Sequence, residues 1–174
     1  MIQQTPWFER KFLFDFPLGL YPCILERLRG TPARVGLMTQ GLSEKELTRK
    51  PDGKWSIQEH IGHLYDLEEL HEGRIDDFRK RLKGLRPAEL QNKKTEEAGH
   101  NSTSLAELLI KFRDSRTEFV KQLSSADDDT VGFASLHPRL NQSMRLVDMA
   151  FFVAEHDDHH IASMSEIART LSQR

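Results

Sequence analysis

Residues 146–171 of the 174-residue chain read LVDMAFFVAEHDDHHIASMSEIARTL, and this stretch decides the predicted fold. Its apolar side chains recur at the spacing of one buried helix face, at Met149, Val153, Met164 and Ile167. Residues four apart on a helix lie on nearly the same face, so His156 and His160 fall where leucine or isoleucine would be expected. The sequence therefore predicts a long helix that carries two histidines into the protein interior.

Three more amphipathic helices precede this one. The second predicted helix begins at the capping box SIQE (residues 56–59) and runs to about Leu82. The third begins at a second capping box, SLAE (residues 104–107), and runs to about Leu123. The first covers about residues 21–40, where Gly30 and Pro32 are expected to break or kink it. Because strand signals are nearly absent, the sequence predicts an all-α four-helix bundle.

The connections between the predicted helices are uneven in length. Two long polar loops are expected. One connects the second and third helices (residues 84–103), and the other connects the third and fourth (residues 124–144). The N-terminal segment 1–19 carries Trp7 and several phenylalanines and is expected to pack on the bundle. We expect residues 1–174 to fold as a single domain, and we predict a homodimer.

Composition excludes several classes of protein. Hydrophobic residues make up 37% of the chain and charged residues 30%, which indicates a globular domain and not a disordered chain. A net charge of −2 leaves no basic excess for a nucleic-acid partner. We identify no membrane span and no secretory segment, so a cytoplasmic location is expected. Cys23 is the lone cysteine, which excludes an internal disulfide, and its apolar neighbours predict a buried, inert thiol.

The histidine pair on the fourth helix indicates a metal site. Two neutral imidazoles four residues apart can reach a single ion, although hydrogen-bonded core histidines would give the same pattern. A third ligand is needed, and the second helix offers His60, His63 and His71. The periodicity of that helix places His60 and His71 nearer its buried face than His63, so spacing does not select one of them.

Two longer motifs resemble the DinB/YfiT-like metalloenzyme family. The segment WSIQEHIGHL (residues 55–64) is similar to the second-helix motif, whose ligand histidine corresponds to His63. The segment EHDDHHIA (residues 155–162) is similar to the fourth-helix motif, whose ligands correspond to His156 and His160. The resemblance implies a helical bundle with one divalent ion, zinc or nickel, bound by these three histidines.

The resemblance extends over most of the chain. LERLRGTPAR (residues 25–34) and GLS (residues 41–43) are similar to the first-helix region of the family, and the likeness is weakest over residues 84–144. Many relatives carry glutamine three residues after the last ligand, where this chain has Ser163. This departure concerns a contact beside the ligands and not the ligands themselves.

The resemblance implies an enzyme that acts on a small-molecule substrate. Several relatives resemble S-transferases that use a low-molecular-weight thiol as co-substrate, which is the first functional prediction. The alternative is a metal-dependent hydrolase in which the ion lowers the pKa of water and generates a bound hydroxide. A third hypothesis, of another class, is a non-catalytic metal-binding or interaction protein. No catalytic residue is assigned. Glu59 and Asp66 flank His63 on the second helix, where they could orient its free ring nitrogen or lie as solvated carboxylates on the surface. Asp157, near the buried face of the fourth helix, is a candidate for the base or for a hydrogen-bond acceptor beside the ligands.

A di-iron carboxylate bundle is the main rival among metal sites. Glu68 and His71 form a Glu-x-x-His pair on the second helix, and Asp157 with His160 forms a weaker one on the fourth. Such a site needs further inward carboxylates from the other two helices. Here the candidates are Glu26 and Glu118.

Overall fold

The computed structural model describes residues 2–172, and its long helices form the predicted four-helix bundle. The helices are α1 (Tyr21–Thr39), α2 (Glu44–Leu47), α3 (Ile57–Asp66), α4 (Glu68–Arg79), α5 (Lys93–Glu97), α6 (Leu105–Ser124), α7 (Asp128–Gly132) and α8 (Leu146–Ser172). Two strands, β1 (Ala134–His137) and β2 (Gln142–Arg145), form a hairpin, and short 3-10 turns lie at Trp7–Glu9, Leu18–Leu20, Pro51–Gly53 and His100–Ser102. In this part of the chain, no helix is both long and apolar enough to cross a membrane.

The bundle consists of α1, the pair α3 and α4, α6, and α8. Helix α1 packs against α6 and α8, and so does the pair α3 and α4. Helix α1 therefore lies diagonally opposite α3 and α4 in the bundle. The segment that connects α1 to α3 crosses from one side of the bundle to the other.

Capping residues fix where the second and third long helices begin. The Ser56 hydroxyl accepts a hydrogen bond from the Glu59 N–H (3.1 Å), and the Ser56 N–H donates to the Glu59 carboxylate (2.8 Å). The Ser104 hydroxyl accepts from the Glu107 N–H at 3.2 Å. Both predicted starting points are confirmed, because these side chains satisfy backbone N–H groups that a helix leaves unpaired.

Gly30 and Pro32 were predicted to break or kink the first helix, and the break is wrong, because α1 continues through both residues. Proline has no N–H, so the carbonyl of Leu28, four residues earlier, lacks its usual helical donor. The Arg116 guanidinium of α6 donates to that carbonyl at 3.4 Å. A partner from a neighbouring helix thus satisfies the group that Pro32 leaves unpaired.

The second predicted helix is divided and shorter than expected. Helices α3 and α4 meet at Leu67, and α4 ends at Arg79, before Leu82. The chain then turns through Arg81, which has a positive φ of 55°. The division at Leu67 is slight, since the Leu67 N–H still donates to the His63 carbonyl at 3.2 Å.

The hairpin, like the short helices α2, α5 and α7, was not predicted from the sequence. Strands β1 and β2 pair antiparallel, with Ala134 opposite Arg145. The Leu85 N–H donates to the Leu136 carbonyl at 3.0 Å, which attaches the hairpin to the segment that follows α4. The sequence of these strands shows no clear apolar alternation, and their stability depends on that contact with a distant part of the chain.

Cys23 is exposed on α1, contrary to the prediction of a buried thiol. Tyr21, Ile24 and Leu25 take the inward positions of this first turn. Helical spacing then leaves residue 23 on the outer face.

Aromatic side chains of the N-terminal segment pack against α8. The Trp7 ring centroid lies 5.0 Å from that of Phe152 and 4.9 Å from that of His156. Phe12 is buried, and its ring lies 5.0 Å from Phe152. The segment therefore forms part of the wall beside the histidines of α8.

A layer of buried polar side chains divides the core into two apolar clusters. Leu28 and Phe119 belong to the larger cluster, and Val35 and Phe112 belong to the smaller one. Each of the four bundle positions contributes one residue to the polar layer: Thr31, Glu68, Arg116 and Asp157.

The Arg116 guanidinium is the centre of this layer. Its Nε donates to Glu68 Oε1 at 2.9 Å, and its Nη2 donates to Asp157 Oδ1 at 3.1 Å. The Thr31 hydroxyl donates to Asp157 Oδ2 at 2.8 Å. Burial lowers the pKa of Arg116, but the two carboxylates raise it by more, so the guanidinium remains charged.

Replacing Arg116 by leucine is expected to lower the free energy of unfolding by about 3–5 kcal/mol, because two buried carboxylates lose their counter-ion. Urea denaturation followed by circular dichroism measures this change. Arg113→Leu is the matched control, since Arg113 lies on the same helix with 62% of its side chain exposed, and a change within about 0.5 kcal/mol is expected. A loss below about 1 kcal/mol for Arg116→Leu would contradict this account.

Candidate metal centre

Helices α3 and α8 bring His63, His156 and His160 together. One ring nitrogen from each residue lies within 4.8 Å of the others, and the three side chains are buried. Within residues 2–172, no further histidine, cysteine, aspartate or glutamate joins this group. The structure thus places the three predicted ligands around one point, and their role as ligands stays a prediction.

A hydrogen-bond relay orients the imidazole of His63. The Thr95 hydroxyl lies 2.9 Å from Asp66 Oδ2 and 3.1 Å from His63 Nδ1. An ionised carboxylate can only accept, so Thr95 donates to Asp66 and accepts from the protonated Nδ1 of His63. Nε2 of His63 therefore keeps its lone pair, which is the form needed for a metal ligand.

The two histidines of α8 turn their Nε2 atoms toward each other, 3.1 Å apart. Nδ1 of His160 lies 2.8 Å from Nδ1 of His60, so one of these two nitrogens carries the proton. If His160 uses Nε2 as a ligand, its Nδ1–H donates to His60. His60 then acts as a positioning residue and not as a ligand.

The protonation states fit a divalent ion. Burial lowers the pKa of His63 to about 4 and holds the pKa values of His156 and His160 well below the usual value. All three imidazoles are therefore neutral at pH 7, with lone pairs available to a cation. Three neutral nitrogen donors suit zinc or nickel, and the residues present fit such an ion.

The three histidines form part of the wall of a cavity of about 350 Å³. Aromatic rings flank them: the Trp55 centroid lies 4.7 Å from that of His63, and Trp7 packs against His156. Phe152 lines the cavity one helical turn before His156. The cluster thus borders a space large enough for a small organic molecule.

His71 and His159 lie near the three-histidine cluster but are not part of it. His71 lines the cavity, and its buried Nδ1 has no hydrogen-bond partner in the described part of the chain. His159 Nδ1 lies 2.9 Å from the Gln4 amide nitrogen, which donates to it. Ser163 lies beside His159 as expected, and its hydroxyl donates to Gln4 Oε1 at 3.1 Å.

The di-iron hypothesis is wrong, because its carboxylates have other partners. Glu68 and Asp157 are ion-paired with Arg116 in the polar layer of the core. Glu26 and Glu118 pair with Arg29 and Lys121 at the surface. Glu68 and Asp157 thus surround the Arg116 guanidinium, and the four carboxylates do not share one metal position.

Of the two carboxylates that flank His63 on the second predicted helix, Asp66 orients its ring through Thr95, whereas Glu59 has other partners. Glu59 caps α3 and pairs with Lys50 at 2.8 Å. Asp66 accepts hydrogen bonds from Thr95 and from His100 Nε2, the latter at 2.8 Å. With Asp157 bound to Arg116, none of the three is free to act as a base.

Thr95, in α5, and His100 support the site from the segment between α4 and α6, and neither was predicted from the sequence. His100 reaches Asp66 by packing directly on α3 at Gly62. A Cβ atom at Gly62 would lie 2.2 Å from the His100 ring, so the close approach requires glycine there. The glycine within the helix was the signal available in the sequence, but nothing local identified its partner.

The fold and the site define a four-helix-bundle protein with a buried three-histidine cluster beside a cavity. The chain belongs to the DinB superfamily, whose family model matches residues 27–164, and this confirms the resemblance inferred from the motifs.

Comparison with solved structures gives the same fold. The chain is similar to YfiT from Bacillus subtilis, with a TM-score of 0.80, 18% sequence identity and 94% of each chain covered. YfiT is described as a probable metal-dependent hydrolase with an unusual four-helix bundle topology. At this identity, the similarity establishes the fold alone. No curated protein matches the chain significantly.

Replacing His63, His156 or His160 by alanine is expected to weaken zinc or nickel binding by more than about 100-fold, since each removes a ligand. Thr95→Val, which removes the hydroxyl that orients His63, is expected to weaken it by about 10-fold to 100-fold. Metal content after dialysis and competition with a chelator measure both effects. His71→Ala and His159→Ala are the controls, and metal loss in either with retention in His63→Ala would refute this ligand set.

Proposed function

We propose that this protein is a metal-dependent hydrolase of small molecules, with His63, His156 and His160 as the ligands of one zinc or nickel ion. One observation carries the proposal: three neutral imidazoles meet on the wall of a cavity, and no fourth protein ligand joins them within the described part of the chain. Structural zinc sites are usually closed by four protein ligands, whereas catalytic sites keep a position for water or substrate.

The ion would supply the nucleophile, because a divalent cation with three uncharged ligands lowers the pKa of a bound water toward neutrality. The residues of the chain hold the imidazoles in place. Thr95 fixes the tautomer and ring direction of His63, and His60 contacts the outer nitrogen of His160. Trp7 and Trp55 cover the flanks of the cluster, which limits access by bulk water.

Two observations support hydrolysis over the alternatives. A protein of the same fold, YfiT, is described as a probable metal-dependent hydrolase. The cavity beside the histidines counts against a purely structural metal, which would need no open space. Thiol S-transfer is the second candidate, because an open position on a cationic site would also accept a thiolate.

A panel of nitrophenyl esters and anilides tests the proposal. Hydrolysis by the zinc- or nickel-loaded protein is expected to fall by at least about 100-fold after chelation and to return when the metal is restored. Cys23→Ser, which removes the exposed thiol of α1, is expected to keep full activity.

Hydrolysis that survives chelation would refute a metal-dependent mechanism. If the loaded protein hydrolyses none of these substrates but consumes an electrophile when a small thiol is added, S-transfer replaces hydrolysis as the function. The two reactions are separated by following nitrophenol release and thiol consumption in parallel.

A further inference from the structure

The cavity that contains the histidine cluster is also lined by two arginines, Arg74 and Arg139, and by His137. Arg74 belongs to α4, His137 ends β1, and Arg139 follows in the hairpin turn. His137 and Arg139 both contact Phe152: the His137 ring centroid lies 5.2 Å and the Arg139 guanidinium carbon 5.5 Å from its ring centroid. The charges of both arginines also lower the pKa of His137. The hairpin that sequence analysis missed supplies two of them.

Arg74 is buried, with 2% of its surface exposed, and forms no ion pair within residues 2–172. Its Nε donates to the carbonyl of Arg86 at 3.2 Å. Asp77 is the carboxylate that acts on it most strongly, but Asp77 is already bound by the Arg86 guanidinium at 2.8–3.2 Å. Burial lowers the pKa of Arg74 to about 10, so it is still charged at pH 7.

Arg139 is held by aromatic rings and not by a carboxylate. Its guanidinium carbon lies 5.3 Å from the centroid of Phe8, 5.5 Å from Phe152 and 5.8 Å from Trp7. Its Nη2 is buried and has no hydrogen-bond partner among the described residues. The rings fix the position of the guanidinium and leave N–H donors unused.

His137 supplies a third donor. Its Nδ1 accepts a hydrogen bond from the Leu140 N–H at 3.2 Å, so the proton of the neutral ring is on Nε2. That Nε2–H is buried and has no hydrogen-bond partner among residues 2–172. His137 as a whole is buried, with 2% of its surface exposed. Buried donors without partners are rare in folded proteins, because each loses its hydrogen bonds to water.

We propose that Arg74, His137 and Arg139 form a subsite for an anionic group, a carboxylate or a phosphate, on the molecule that occupies this cavity. The anion would supply the missing counter-charge and accept the unused N–H groups. Among the described residues that line the cavity, Glu89 is the acidic side chain. Glu89 is exposed, and its carboxylate accepts hydrogen bonds from the N–H groups of Gln91 and Lys93.

This subsite deepens the proposed function, on which its role in substrate selection rests. The Trp7 ring contacts both regions of the cavity: its centroid lies 5.8 Å from the Arg139 guanidinium carbon and 4.9 Å from the His156 ring centroid. Leu67, Leu70 and His71, which lie between His63 and Arg74 in the sequence, line the same cavity. The substrate is therefore a small molecule whose anionic end lies at the arginines and whose scissile bond lies near the histidines.

Titration of the metal-free, full-length protein with inorganic phosphate and with succinate tests the subsite, with calorimetry as the readout. Arg139→Gln and Arg74→Gln are expected to weaken binding by about 10-fold or more, because each removes a charged hydrogen-bond donor. Arg113→Gln removes the same charge from the exposed surface of α6 and is expected to change binding by less than about 2-fold. Circular dichroism checks the helical content of each variant, and Arg139→Lys replaces any glutamine variant that does not fold.

His156→Ala separates this inference from the proposed function. It is expected to lose the metal but to bind phosphate as the wild type does. Phosphate binding that is equal in wild type and in the arginine variants, or that disappears in His156→Ala, overturns the subsite.

With hydrolysis established, Arg139→Gln is further expected to raise KM by about 10-fold for a nitrophenyl ester that bears a carboxylate, and not for the neutral acetate ester. If no ester is hydrolysed while the phosphate results hold, the hydrolase proposal fails and the anion subsite stands.

Discussion

The buried guanidinium of Arg116 is the contact on which the rest of this bundle depends. It binds carboxylates from α4 and α8 and a carbonyl from α1, so a single side chain of α6 joins all four bundle positions. Removing a buried charge from such a layer is costly, because Glu68 and Asp157 would then be buried without their counter-ion. The layer lies between the two apolar clusters and links the four bundle positions through a single side chain.

The same layer determines where the histidines point. Asp157 lies between Arg116 and Thr31, and its neighbour His156 is thereby turned toward α3. One turn later, His160 occupies the same face, opposite His63. The loop between α4 and α6 then completes the site by placing a hydroxyl on the outer nitrogen of His63. A cluster of neutral donors is thus held by parts of the chain that are far apart in sequence.

Much of this arrangement was accessible from local patterns. Capping boxes located two helix starts, and the spacing of His156 and His160 on an apolar face predicted that both would be buried. Periodicity did not select His63, which was chosen by resemblance to a family. The role of Arg116 was not predictable, because an arginine on an amphipathic helix usually lies at the surface and its partners come from other helices. The hairpin was missed for a similar reason, since its strands depend on contacts with the segment after α4.

The central claim is that three imidazoles bind one divalent ion and leave a position open. X-ray absorption spectroscopy of the protein loaded with one equivalent of zinc tests this claim most directly, because it counts and identifies the ligand atoms. The account predicts three nitrogen ligands with imidazole scattering at about 2.0–2.1 Å, together with one or two oxygen ligands from solvent. A spectrum with sulfur ligation, with a closed set of four protein ligands, or with carboxylate oxygens in place of imidazole would contradict it.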